Sequence, residues 1–255
     1  MEGYTPEELK QLAQYDGWLA RTDWDANMLS WRESEVSLQL HNRWTEPAIL
    51  KRVGNCMMEF CPSNAYVEDW RLQPSNPSCL IGLFMLEERE LATNLVRHKG
   101  GGLIICGDYA ALVIGRAPGA DFEFGKKPLT SWVDDAVGDI PRLNQLLDVE
   151  TSVAKGDMTH GFNVLLSTKT HRVGQALTPL DGFEAPKWIT HKTLGTIQII
   201  KQQLLVHGVA CERLFTIDTM EPHMVFSQET DFTPTASEWY VRESSVLARY
   251  ATVLH

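Results

Sequence analysis

Tyr66-Val67-Glu68-Asp69-Trp70-Arg71 sets aromatic rings, carboxylates and a guanidinium side by side. In an extended strand alternate side chains share a face, so Tyr66, Glu68 and Trp70 point one way and Val67, Asp69 and Arg71 the other. A carboxylate between two aromatics is costly to bury unless it is paired or faces a ligand or water. The Tyr66/Glu68/Trp70 face therefore reads as the wall of a binding cavity. Near the far end of the chain, Glu238-Trp239-Tyr240-Val241-Arg242 repeats this chemistry in another order. As a strand it puts Glu238, Tyr240 and Arg242 on one face, a candidate second wall. Packed aromatics with satisfied polar tips are the competing interpretation.

Asp108 and Arg116 bracket an apolar stretch. They suit either an internal ion pair that closes a sheet or a cavity in which Arg116 polarises a carbonyl or phenolate oxygen. Other motifs point away from common chemistries. Gly100-Gly101-Gly102 precedes a strand and lacks the lysine and Ser/Thr of a phosphate loop, so it reads as a tight turn. His160 and His171 are far apart, His41 and His98 lie in separate segments, and no HxH or HExxH spacing occurs, so no metal is expected. No GxSxG elbow is present, and nothing marks one cysteine as activated. No cofactor is expected.

Composition narrows the class further. A chain of 255 residues, 44% apolar and 22% charged, can bury a substantial core as one large domain or two small ones. Its net charge of -10 argues against a nucleic-acid partner; the densest cationic pieces are Arg97-His98-Lys99 and Lys126-Lys127. Five cysteines without a CxxC pair suit reduced thiols in the cytoplasm. Met1-Glu2-Gly3-Tyr4 has no cationic region followed by an apolar core, so a secretory leader is not expected. The longest apolar run, Ala110 to Ile114, is too short to span a membrane.

The elements that must position these residues are mostly strands. Thr5-Pro6-Glu7-Glu8 predicts a capped helix start, with Leu9, Leu12 and Ala13 on one face of a helix running to about Tyr15. Strand-like segments follow: Val36 to Leu40, Cys56 to Phe60, Ala65 to Leu72, Leu80 to Glu87, and a long apolar strand from Leu103 to Ile114 with a bend at Gly107. Leu129 to Val137 and Pro141 to Leu147 predict a small helical insertion. Strands then resume at Ser152, Phe162, Thr193, Cys211, Met224 and Glu238. About ten strands with little βαβ alternation predict a mainly β fold, an antiparallel barrel in preference to a sandwich. One domain over 1–255 is expected, with 120–150 the candidate seam.

The order Tyr66-x-Glu68-x-Trp70, then Gly101-Gly102-Leu103-Ile104-Ile105-Cys106-Gly107-Asp108-Tyr109 and Gly115-Arg116, resembles lipocalin-like β-barrel proteins of fungi and bacteria. In those a Tyr-x-Glu-x-Trp strand precedes a Gly-Asp hairpin and an Arg-ended strand. The resemblance covers roughly residues 60 to 180. Leu165 to Gly174 matches the strand and turn after the helical insertion, although that turn usually reads Ser-Thr-Leu-Pro and here carries Lys169-Thr170-His171. In size and lack of a cofactor motif the chain is also similar to fungal hetero-Diels–Alderases, pericyclases that join a tropolone quinone methide to a sesquiterpene such as humulene.

These resemblances imply a cofactor-free secondary-metabolite enzyme that holds a hydrophobic, oxygenated small molecule and directs a cycloaddition. Tyr66, Trp70, Tyr109, Trp239 and Tyr240 would contact substrate. Arg116, His171 and Arg242 would donate to the carbonyl, and Glu68 would act as acid or base in forming the quinone methide, or orient a donor. Two alternatives stand beside it: a non-catalytic carrier of a hydrophobic ligand, and an interaction barrel with a packed interior. A homodimer is the default assembly.

Overall fold

The computed structural model describes residues 4–25, 28–32, 36–39, 46–54, 56–119, 127–191, 194–225 and 235–247. Met1 to Gly3, Leu40, His41, Lys126 and the chain after 247 lie outside them, with whatever the sequence predicts there. In chain order the elements are α1 (Pro6–Leu12), β1 (Trp18–Leu19), β2 (Thr22–Trp24), β3 (Met28–Trp31), β4 (Val36–Ser37), β5 (Ala48–Val53), β6 (Cys56–Phe60) and β7 (Val67–Arg71). They continue with β8 (Ser78–Glu90), β9 (Val96–Lys99), β10 (Gly101–Cys106), β11 (Tyr109–Ile114), α2 (Leu129–Asp135), α3 (Ile140–Leu147), β12 (Glu150–Asp157) and β13 (Gly161–Ser167). The last are a 3-10 turn (Thr170–Arg172), β14 (Lys187–His191), β15 (Gly195–Val206), β16 (Val209–Met224) and α4 (Ala236–Leu247). The fold is mainly β and antiparallel throughout its ladders. No helix of the described residues is long and apolar enough to cross a membrane.

The chain forms two compact units that interleave in sequence: residues 1–19, 34–43 and 77–224, and residues 20–33, 44–76 and 225–255. The divisions therefore fall elsewhere than 120–150, which lies inside the larger unit. The smaller unit is a five-stranded sheet of order β2-β3-β5-β6-β7, accompanied by α4.

The larger unit is built on a sheet of order β13-β12-β11-β10-β8-β16-β15-β14, with β9 also paired to β8. Alternation sorts its side chains. Leu103, Ile105, Leu112, Phe162, Val164 and Phe215 belong to one buried cluster on one face. On the other face Val113 and Phe84 meet Leu9, Leu12, Leu129, Val133, Leu143 and Leu146 from the three helices of this unit. Full burial of each such side chain stabilises by about 1.5–3 kcal/mol, so both faces contribute to the fold. α1 starts as its sequence requires: the Glu8 amide donates to Thr5 Oγ1 at 3.2 Å and the Thr5 amide donates to Glu8 Oε2 at 2.7 Å.

Leu103 to Ile114 is a hairpin rather than one bent strand. Gly107 takes φ +62° and Cys106 pairs with Tyr109, so Gly107-Asp108 is a two-residue turn. β13 and β14 end the ladder, yet residues 174–184 bond to both sides of that gap. The Leu177 amide donates to the Phe162 carbonyl at 2.8 Å and the Gly174 amide to Val164 at 2.9 Å; the Gln203 amide donates to Gly182 at 2.9 Å and the Glu184 amide to Lys201 at 2.8 Å. Gly182 has φ +76°, and a Cβ there would collide with the Gln203 carbonyl. Only glycine lets this strap lie so close to β15.

Arg116 leaves the end of β11 and fastens the helical layer. Its Nε donates to the Leu146 carbonyl at 3.0 Å, Nη1 to Ser37 at 2.7 Å, and Nη2 to Leu146 at 2.8 Å and to Leu38. Burial lowers its pKa to about 10. Asp108 lies beyond the opposite end of the same six-residue strand, which alone spans roughly 20 Å at about 3.3 Å per residue, so the two do not pair. Arg116→Met leaves several carbonyls without a donor and should cost about 2–4 kcal/mol in urea unfolding. A loss below about 0.5 kcal/mol would show that water replaces the guanidinium freely.

Candidate functional site

The opening motif lies on the edge strand of the smaller sheet. Glu68 pairs in register with Glu59 and Trp70 with Met57, so Tyr66, Glu68 and Trp70 share a face with Glu59. Glu68 is exposed and accepts from Trp70 Nε1 at 2.9 Å. Glu59, which sequence patterning does not single out, is the buried acid, only 2% exposed. Its Oε1 accepts from the Tyr66 hydroxyl at 3.0 Å, and its Oε2 has no hydrogen bond among the described residues. Burial raises the Glu59 carboxyl pKa, the Tyr66 bond opposes that rise, and Glu68 adds to it. Burial also raises the Tyr66 phenol, reinforced by its bond to Glu59.

The expected second wall is not a strand. Glu238 to Leu247 belongs to α4, so Glu238, Tyr240 and Arg242 do not share a strand face. Short runs mixing apolar and polar residues fit either period, and Ala, Glu, Arg and Leu favour the helix here. Trp239 packs edge-on against Phe60 at 5.4 Å between ring centres. Phe60 neighbours Glu59 in β6 and therefore points to the opposite face. Trp239 thus lies on the other side of this sheet from Tyr66, Glu68 and Trp70. Arg242 is exposed and pairs with Glu243 at 3.0 Å.

In the larger unit, Tyr109 stands on the face opposite Ala110 and Leu112, with Lys155 Nζ 5.3 Å from its ring centre. Arg116 is committed to backbone carbonyls, as described above. His171 sits exposed in the 3-10 turn, where it lines two clefts.

The larger of these clefts, about 900 Å³, lies beside the strap. Leu112, Phe162, Leu177 and Leu180 give it apolar surface, while Arg213 and Thr178 add polar donors. Arg213 belongs to a polar row that crosses four strands: His98, Glu88, Arg213 and Gln202 are successive register partners. Arg213 Nε donates to Glu88 Oε2 at 2.8 Å and Nη1 to Thr178 Oγ1 at 3.0 Å. Gln202 Nε2 donates to the Pro179 and Asp181 carbonyls at 2.8 and 3.1 Å. Glu88 is 1% exposed; its Oε1 has no hydrogen bond among the described residues, the nearest cationic atoms being Arg97 Nε at 3.9 Å and His98 Nε2 at 4.0 Å.

Two more cations of the lining, Arg172 and Lys169, are held in ion pairs. Arg172 Nε donates to Glu150 Oε1 at 2.9 Å, and Lys169 Nζ to Asp148 Oδ1 at 2.8 Å. Burial alone would raise the Asp148 carboxyl, but Lys169, with His98 and Arg97, holds it below its ordinary value. Lys169 and His171 also border the smaller cleft, about 380 Å³, whose other walls include Leu12, Leu38 and Leu147.

A guanidinium held by a carboxylate and a hydroxyl, at an apolar surface, can donate to a ligand oxygen without reorganising. Arg213 carries a signal in the sequence: it interrupts the alternation Cys211, Phe215, Ile217 on an otherwise apolar face. No protein-family model, curated protein or solved structure matches the chain.

Because its folded pKa is raised, Glu59 keeps its proton in the folded state to higher pH than in the unfolded chain. Ionising it therefore costs stability as pH rises from the ordinary carboxylate range through the folded value. Glu59→Gln should gain on the native protein across that window and show no pH-dependent gain below it. Urea midpoints between about pH 3 and about pH 8 measure this. A pH-independent difference would show that Glu59 ionises in place without penalty.

Proposed function

We propose that the larger unit works as a lipocalin-like barrel, closed by the 174–184 strap in place of a final strand ladder, and that it binds an apolar, oxygenated small molecule in the cleft beside that strap. The observation that carries this is Arg213, a 6% exposed guanidinium held by Glu88 and Thr178 at an apolar cleft. Its Nη2 makes no hydrogen bond among the described residues, which leaves that amino group to donate to a ligand carbonyl or phenolate oxygen.

The reaction this arrangement suits is a hetero-Diels–Alder cycloaddition of a quinone methide with a terpene alkene. Such a step forms its bonds in concert, without a nucleophile. Holding both apolar reactants together replaces entropic barrier, on the order of 7–11 kcal/mol in favourable cases. A hydrogen bond from Arg213 to the quinone methide oxygen lowers the energy of the acceptor orbital and fixes the face of addition. In this proposal Arg213 takes the part first assigned to Arg116, whose guanidinium holds backbone carbonyls. Glu68 stays a candidate for the preceding dehydration only if that step occurs in the smaller unit.

Incubation with a quinone methide precursor and humulene tests the proposal. The expected result is a product ratio and stereochemistry distinct from the protein-free reaction, with Arg213→Met lowering the rate of that product by about tenfold or more at unchanged fold. Bound ligand with a product distribution identical to the uncatalysed one would reduce the protein to a carrier.

A further inference from the structure

We infer that the cleft beside the strap selects neutral ligands bearing an acceptor oxygen and discriminates against the same skeleton carrying a carboxylate. This rests on the cleft being the ligand site proposed above and adds the charge class of its ligand. A guanidinium at an apolar pocket would ordinarily suggest an anionic headgroup. Here every lysine and arginine of the lining already has a carboxylate of its own: Arg213 with Glu88 at 2.8 Å, Arg172 with Glu150 at 2.9 Å and Lys169 with Asp148 at 2.8 Å. Asp181 also lines the cleft, and its carboxylate has no cation partner among the described residues.

An anion on Arg213 would share one desolvated guanidinium with Glu88 and leave the cluster net negative, because Arg97, 3.9 Å from Glu88 Oε1, is itself shared with Glu90. A carbonyl oxygen takes the same Nη2 hydrogen bond and leaves the cluster neutral. Glu88 thus acts as a specificity-determining residue from behind the guanidinium. The imidazoles of His160, His171 and His207 also border the cleft, and His160 Nδ1 lies 2.9 Å from Asp157.

Two fluorescent probes of one skeleton test this: the neutral ketone propionyl-dimethylaminonaphthalene and the matching dimethylamino-naphthoate. Both are titrated with the full chain at about pH 8, where imidazole in water is neutral. The ketone is expected to bind about tenfold or more tightly than the naphthoate. Glu88→Gln, verified as folded by circular dichroism, should shift that ratio toward the naphthoate by about tenfold. Should Glu88→Gln fail to fold, Asp181→Asn, at an exposed position, should shift it in the same direction by about twofold to threefold. Arg213→Met should weaken the ketone. Equal or tighter binding of the naphthoate by the native protein, lost in Arg213→Met, overturns the charge inference and leaves the binding site standing. Absence of binding by both probes overturns the binding site and the inference together.

Discussion

The ion pair between Glu88 and Arg213 is the constraint around which the larger unit is arranged. Both side chains lie inside the sheet, and taking two charges out of water costs several kcal/mol per ion, which their attraction repays only with good geometry and further hydrogen bonds. The further bonds come from the strap. Thr178 accepts from Arg213, and on the next strand of the same row Gln202 donates to the carbonyls of Pro179 and Asp181. A segment without regular structure can cross the gap between β13 and β15 because the sheet's own polar row satisfies it there. An apolar pair at 88 and 213 would pack at least as favourably, but it would offer the strap no fixed position. Position, more than net stability, is what the pair contributes.

The same requirement shapes the interior. One side-chain layer away from the polar row, Phe215 and Met85 are register partners in the apolar cluster. That face therefore changes from dry to polar within two residues along a strand. The cleft beside the strap is bordered by hydrocarbon from Phe162, Leu177 and Leu180 and by the guanidinium of Arg213. The helical layer on the other face leaves this arrangement undisturbed, since Arg116 fixes it through backbone carbonyls.

Much of the architecture was legible because local rules agreed with the final fold. The Thr5 capping box, the helix expected from Pro141 and found from Ile140, and the strands expected over Cys56 to Phe60 and Ala65 to Leu72, the latter found over Val67–Arg71, all follow from short-range patterning. The exceptions have separate causes. In Glu238 to Leu247, aromatic and polar residues fit two periods, and the helix won. Arg213 stood in phase with an apolar face and could have been noticed. Glu88 could not: the register of β8 against β16 shifts between Leu214 and Phe215, so the simple alternation of Leu83 and Met85 does not reach it. The strap has no periodicity at all, and its place depends on side chains distant in sequence.

The amphiphilic strand at Tyr66 to Arg71 owes its composition to a different pressure. β7 ends its sheet, and one side of its backbone has no neighbouring strand among the described residues. Edge strands that carry charge resist pairing with other chains, and here both faces are charged: Glu68 with Trp70 on one, Asp69 with Arg71 at 2.7 Å on the other. An apolar β7 would expose a sticky ribbon, while a wholly polar one would forfeit the packing of Tyr66 and Trp70. Mixed faces satisfy both demands without any ligand. The buried acid lies one strand inward at Glu59, where the Tyr66 hydroxyl meets a single carboxylate oxygen. Aromatic and acidic residues alternating along an edge strand therefore report first on the edge, and the chemistry is better sought where a charge breaks an apolar face, as Arg213 does.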